Sequence, residues 1–348
     1  MKKLLLISSC IFSLALQAQD IHFTMWDAVP ITTNPASTGV FRGDHRAVIN
    51  YRNQWSSVGK PYNTYSFMGD AGILKNKWQN GFMGVGLNVY KDNAGQNDFG
   101  ATKVSLGLSN IVFLDDKNSA SVGLMGSWGQ NALNTSNAEW DAQFNGQYFD
   151  PTLSSNEPLN YENKSYFDFS AGVLWAYGTG SKTLSSQDEF SMKAGLAFYH
   201  VTRPEGSISA IEKDKLYSRW AFHADAYIGI SNSKFAVKPK FLTYIQGPSR
   251  QFALGTLLRY MIKEESKYTG FFTEMAISFG GYYRVGDAFA PSVEFEIGGL
   301  ALGVAYDMNL SGLSVATNGN GGPEVFVKFV SPNPFSYGKG TKSSARFN

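Results

Sequence analysis

Beyond its first eighteen residues the chain repeats one pattern about fourteen times. Each repeat is a segment of roughly ten residues in which apolar and polar side chains alternate, closed by a turn. One clear case sets Trp220, Phe222, Ala224, Ala226, Ile228 and Ile230 against Arg219, Ala221, His223, Asp225, Tyr227 and Gly229. Successive strand side chains point to opposite faces, so this strand has one apolar face and one face with three ionisable groups. A soluble sandwich would bury the apolar face against a second sheet. A membrane barrel turns it to lipid and aims the polar set into a lumen.

The pattern predicts strands near 45–55, 62–72, 81–91, 99–112, 118–129, 165–177, 188–201, 218–230, 234–246, 250–262, 270–283, 287–297, 299–309 and 323–331. The fold expected is all-β, an antiparallel up-and-down transmembrane barrel of about fourteen strands, with about twelve still possible. Connection lengths agree with this. With an even strand count and both termini periplasmic, connections after odd strands lie outside. The long ones, 130–164, 202–217 and 310–322, all follow odd strands. Ser231-Asn232-Ser233, the 113–117 turn and the Gly298-Gly299 junction fall on the other, short-turn side.

Two mature segments do not fit the alternation. Residues 19–44 contain Asn34-Pro35-Ala36 and Gly39 and are too broken for a strand. They are expected at the periplasmic mouth, as a partial plug or a partner contact. Phe23, Trp26 and Phe41 are the exposed aromatic candidates for that contact, Trp26 first, because aromatics are enriched as interface anchors. Residues 332–348 form a polar tail with Lys339, Lys342 and Arg346 and no acid. The barrel itself is expected over 45–331.

Residues 1–18 have the form of an export signal. Lys2 and Lys3 precede an apolar run from Leu4 to Leu16, too short to span a bilayer as a helix, and Leu16-Gln17-Ala18 is a cleavage site. Ile7-Ser8-Ser9-Cys10 resembles a lipoprotein box, but a cut there leaves too short an apolar region. Cleavage after Ala18 removes the one cysteine, Cys10, and so excludes thiol chemistry. It also leaves 28 basic against 28 acidic residues, so no net basic field invites nucleic acid. Glycine at 36 and aromatics at 15% suit tight turns and aromatic girdles.

Candidate chemistry is sparse. No HExxH, GxSxG, P-loop or dinucleotide fingerprint is present. His223, on the lumen face near Asp225, is the best catalytic candidate, and we read it as a polar lumen residue. His200, which alternates with the lipid face at a strand end, reads as interfacial. Asp115-Asp116 with Asn118 lacks the glycine and distal glutamate of a calcium hand and reads as a turn. Trp175, Trp220 and Tyr283 read as girdle residues rather than a sugar platform. Asp168, Lys193, Arg219, His223, Asp225, Lys238, Lys240, Arg259, Glu294, Glu296 and Asp307 fall on the lumen-facing side. They form either a selectivity lining or a salt-bridged interior that fills the lumen, and the second reading is preferred. No catalytic, cofactor-binding or metal-binding residue is assigned.

Arg42-Gly43-Asp44-His45-Arg46 followed by Asn50-Tyr51-Arg52-Asn53-Gln54-Trp55 resembles the opening of the PorP/SprF family, as does Asn34-Pro35-Ala36-x-x-Gly39. Lys91-Asp92-Asn93-Ala94-Gly95, Phe149-Asp150-Pro151-Thr152 and Gly321-Gly322-Pro323-Glu324 extend the similarity over nearly the whole mature chain. The chain departs from it in continuing past the last strand. The resemblance implies a non-enzymatic outer-membrane component of the Bacteroidetes type IX secretion system, which is tied to gliding motility. It implies assistance in delivering or anchoring secreted proteins such as adhesins. The implied partners are outer-membrane lipid, periplasmic secretion components including a peptidoglycan-binding protein, and a secreted adhesin. No cofactor is implied. The rival class is an outer-membrane channel or hydrophobic-solute transporter.

Overall fold

The structure is a computed structural model describing residues 20–331, apart from 76, 79, 96–98, 134–139, 157–162, 180–188, 209–213 and 264–273. The export signal and the polar tail expected at 332–348 lie outside the described residues.

Fourteen antiparallel strands close into one barrel, each hydrogen-bonded to its sequence neighbours and β1 pairing with β14. The strands are β1 His45–Gln54, β2 Tyr62–Ile73, β3 Gly81–Ala94, β4 Phe99–Phe113, β5 Asn118–Ala132, β6 Lys164–Gly178 and β7 Phe190–Tyr199. They continue with β8 Arg219–Gly229, β9 Phe235–Gln246, β10 Ser249–Lys263, β11 Met275–Arg284, β12 Ala288–Ile297, β13 Leu300–Asn309 and β14 Asn320–Val330. Closure leaves no free sheet edge, the condition a sheet must meet in hydrocarbon, where water cannot satisfy backbone groups. The alternation sorts as expected. Leu106, Leu108, Leu124, Phe167, Phe169, Val173 and Leu254 point outward and are exposed, Phe167 reaching 72%. Lys103, Ser105, Ser109, Asp168 and Ser170, their strand neighbours, are buried inside. The exterior is therefore an apolar belt, as in an outer-membrane barrel.

The connections divide the barrel into a loop end, with 133–163, 200–218 and 310–319, and a turn end, where β1 begins and β14 finishes. β7 and β11 are described from Phe190 and Met275, and the earlier starts expected at 188 and 270 lie outside the described residues.

The segment before β1 runs inside the barrel over its whole depth. This corrects the expectation of a partial plug at one mouth. The Asp20 backbone N–H meets Gln246 at the loop end of β9, and the Asp44 N–H meets the Ser331 carbonyl just past the turn end of β14. Between them lie a four-residue helix, Pro30–Thr33, and a 3-10 turn, Pro35–Ser37, with the Asn34 side chain accepting from the Ala36 N–H at 2.9 Å.

Candidate functional site

The lumen holds the chemistry of this chain, and two kinds of inward position shape it. Ala197, Ala221, Ala253, Ala290, Ala301 and Ala305 line the β7–β14 wall. Their small side chains leave room for Phe23, Met25, Trp26, Val29 and Ile31, and all of them join one apolar cluster. The Trp26 ring stands edge-on to Tyr282 with centroids 5.0 Å apart. On the opposite wall the backbone itself makes way. A Cβ at Gly123 would stand 2.4 Å from the Pro35 and Ala36 backbone, and one at Gly172 would stand 2.1 Å from Asn34 Oδ1. At Gly123 two backbones approach too closely for any Cβ, and at Gly172 the Asn34 side chain takes the place of one.

Phe23, Trp26 and Phe41 are thus 4%, 4% and 7% exposed, not the open aromatic anchors expected of them. The reason is physical. Three large apolar side chains next to a lumen of alanine and glycine have a lower free energy inside it than in water. Phe41 also lies under the Arg46 guanidinium, 4.5 Å from its centroid.

Polar clamps tie the plug to the wall at successive depths. At the loop end the Thr24 and Met25 backbone N–H groups donate to the Glu324 carboxylate at 2.7 and 3.0 Å. Thr24 Oγ1 donates to Asp307 at 2.8 Å. Asp307 is itself gripped by Arg52 at 2.7 Å and Arg284 at 2.8 Å, and Arg52 also donates to the His22 carbonyl. Beside these cations, burial pushes the His22 imidazole well below its usual range, and Arg52 and Arg284 push it further. Deeper in, Asp27 accepts from Lys240 at 2.5 Å and from Tyr282 at 2.8 Å. Asn34 Nδ2 donates to the Val173 carbonyl at 3.0 Å and lies 3.1 Å from His223 Nε2. At the turn end the Gly39 N–H donates to Asp70 at 2.7 Å, and Asp70 pairs with Arg46 at 2.7 Å. Ser109 and Ser121 donate to the Thr38 and Ala36 carbonyls.

A fifth clamp centres on His200. Its Nε2 lies 2.7 Å from Asp20 and its Nδ1 2.9 Å from Asp168, and Lys103 pairs with Asp168 at 3.1 Å. Arg219 reaches Asp20 at 3.2 Å while lying 4.3 and 4.8 Å from the Tyr199 and Tyr244 ring centroids. Burial opposes charge on Asp20, but His200 and Arg219 hold its carboxyl well below the usual carboxylate range. Burial likewise opposes charge on His200, and Asp20 and Asp168 outweigh it and raise the imidazole. His200, expected at the interface, is instead wholly buried. Its φ of +55° breaks the pleat just after β7, so the alternation that would have turned it to lipid stops one residue earlier.

The lumen-facing candidates divide into two groups. Asp168, Arg219, His223, Lys240 and Asp307 belong to the clamps above. Lys238, Arg259, Glu294 and Glu296 form a separate ion-pair lattice toward the turn end. Lys238 meets Glu294 at 2.8 Å and Glu296 at 3.2 Å, and Arg259 meets Glu296 at 2.7 Å and Glu274 at 2.6 Å. Lys193 and Asp225 are cross-strand neighbours beside them, with Asp225 3.9 Å from His223. The acid in the 113–117 turn is satisfied locally, since Asp115 accepts from the Lys117 and Asn118 backbone. Among the described residues no group of His, Cys, Asp and Glu side chains is arranged to hold a metal ion. Arg52, Arg284 and Glu324 were missed, although their inward parity on apolar-faced strands marks them. Asp20 and Asp27 carried no such signal, because the plug has no period.

Among solved structures, the CymD monoaromatic hydrocarbon channel is 11% identical over 89% of this chain and 94% of its own, with a TM-score of 0.47. A Pseudomonas aeruginosa FadL homologue is 11% identical over 85% and 91%, with a TM-score of 0.42. BamA from Haemophilus ducreyi lacking POTRA domains 1-3 is 10% identical over 83% and 70%, also at 0.42. At these identities and scores the likenesses add nothing to the barrel already described. A search of curated protein sequences finds no relative. A family model described as type IX secretion system membrane protein PorP/SprF matches residues 15–329, plug and barrel together, and the chain belongs to that family.

Proposed function

We propose that this barrel is a non-enzymatic accessory of type IX secretion in the outer membrane, assisting delivery or surface anchoring of secreted proteins such as gliding adhesins. The observation that carries this reading is the plugged lumen. A permanently open diffusion channel needs a lumen free of packed side chains, and here Phe23, Trp26 and Ile31 occupy it as an apolar core. A secretion role that uses the outer surfaces of the barrel has no such need. The export signal, with cleavage after Ala18, delivers the chain to the periplasm, and the turn end faces that compartment. Periplasmic secretion components, a peptidoglycan-binding protein among them, then meet the turn end, and cargo meets the loop end. Because Phe23, Trp26 and Phe41 are inside, the partner contact falls to other residues.

The test is a deletion strain combined with purified protein. Loss of one or a few surface proteins, normal small-solute uptake and no stable conductance in planar bilayers support the reading. An unchanged secretome with lost uptake of an apolar solute favours the transporter class instead.

A further inference from the structure

His200 joins three parts of the molecule at one side chain. Through Nε2 it holds Asp20, the loop-end tip of the described plug. Through Nδ1 it faces Asp168 on β6. Its own backbone starts the 200–218 connection, where its carbonyl accepts from the Arg203 N–H at 3.0 Å and from Ser218 Oγ at 3.1 Å, at the opposite foot of the same loop. We propose that His200 is a proton switch that couples the plug tip, Asp20 to His22, to the foot of the 200–218 loop, locking both when it is an imidazolium and loosening both when it is neutral.

The geometry favours the cation. Both ring nitrogens lie within 3 Å of a carboxylate oxygen, Nε2 in a hydrogen bond to Asp20 and Nδ1 out of line for one with Asp168, and only the protonated ring turns an N–H rather than a lone pair toward each. A neutral ring leaves one carboxylate facing a lone pair in a buried site. The surrounding groups do not replace it. Lys103 from β4 serves Asp168. Arg219 from β8 holds Asp20 on another side, at the longer distance of 3.2 Å. Tyr90 and Tyr166, on β3 and β6, are the other titratable groups near Asp20. The raised imidazole and lowered Asp20 carboxyl set the window. The lock is complete below the ordinary histidine value of about 6.5 and is lost as pH rises through the raised value in the folded barrel. On the acid side it holds until pH falls through the lowered carboxyl value. The switch is confined to the ends, because Phe23 to Ile31 stay in the apolar cluster whatever the charge on His200.

The experiment is hydrogen exchange by mass spectrometry on the full mature barrel in micelles, corrected for the intrinsic pH dependence of exchange, from pH 6 to 9.5. The expected result is protection of Asp20–His22 and of residues 201–203 falling together, by about tenfold or more. Protection of the wall strands should not change. His200→Gln should show the loosened level at every pH. The proposal is overturned if wild type shows no pH-dependent change at these segments. It is equally overturned if His200→Gln keeps the wild-type profile, or if the plug tip and the loop foot respond at different pH values.

Discussion

Replacing Trp26 with alanine separates the plug from the wall. The side chain is 4% exposed and packs edge-on against Tyr282. A buried tryptophan removes about 150–250 Å² from water. At about 25 cal/mol per Å² that area is worth roughly 4–6 kcal/mol, an upper bound. Tryptophan-to-alanine changes in close-packed cores cost about 3–5 kcal/mol. The wall does not share this loss, because its strands are closed by their own ladders. A cost of about 3–4 kcal/mol raises the open population of the plug by roughly two to three powers of ten. Hydrogen exchange of residues 23–31 in the micelle-bound barrel should therefore accelerate about 100- to 1,000-fold in Trp26→Ala, while exchange on the wall strands and heat-dependent gel mobility stay as in wild type. Acceleration of less than about tenfold would refute the packing argument. Wall strands exchanging in step with the plug would show that plug and wall unfold as one unit.

Other perturbations test the clamps and the faces. Gly123→Ala forces a Cβ into the Pro35–Ala36 backbone and should cost about 1–3 kcal/mol in urea unfolding. Gly126→Ala, where the nearest atom is 3.7 Å away on the Phe169 ring, should be close to neutral in the same assay. Asp307→Asn leaves Arg52 and Arg284 facing each other without their shared carboxylate and should destabilise the folded barrel by about 3–5 kcal/mol, read by the same titration. Leu124→Arg, at a position 64% exposed on the outer face, should cost about 2–4 kcal/mol of insertion free energy near the bilayer midplane, measured by folding into lipid vesicles.

The strands were legible because a barrel wall imposes a period of two over its whole length. β4 shows this best, with Leu106 and Leu108 outside and Lys103, Ser105 and Ser109 inside. The plug was not legible, because residues 20–44 obey no period and their partners are distant in sequence. Trp26 looks like an exposed anchor until the alanines and glycines of the inward faces are read as space held for it. Ala197, Ala221 and Gly172 were visible as small residues at inward parity, and that is the signal that could have placed the segment. His200 failed for a local reason. The alternation rule runs only as far as the pleat, and a positive φ ends the pleat at that residue.

The central claim is that residues 20–44 close the lumen. Single-channel recording in planar bilayers tests it directly, comparing the intact mature barrel with a variant lacking residues 20–41. The intact barrel should carry no stable current, and the variant, if it inserts with barrel-like gel mobility, should carry a steady one. A large steady conductance from the intact barrel, equal to that of the deletion, would contradict the account.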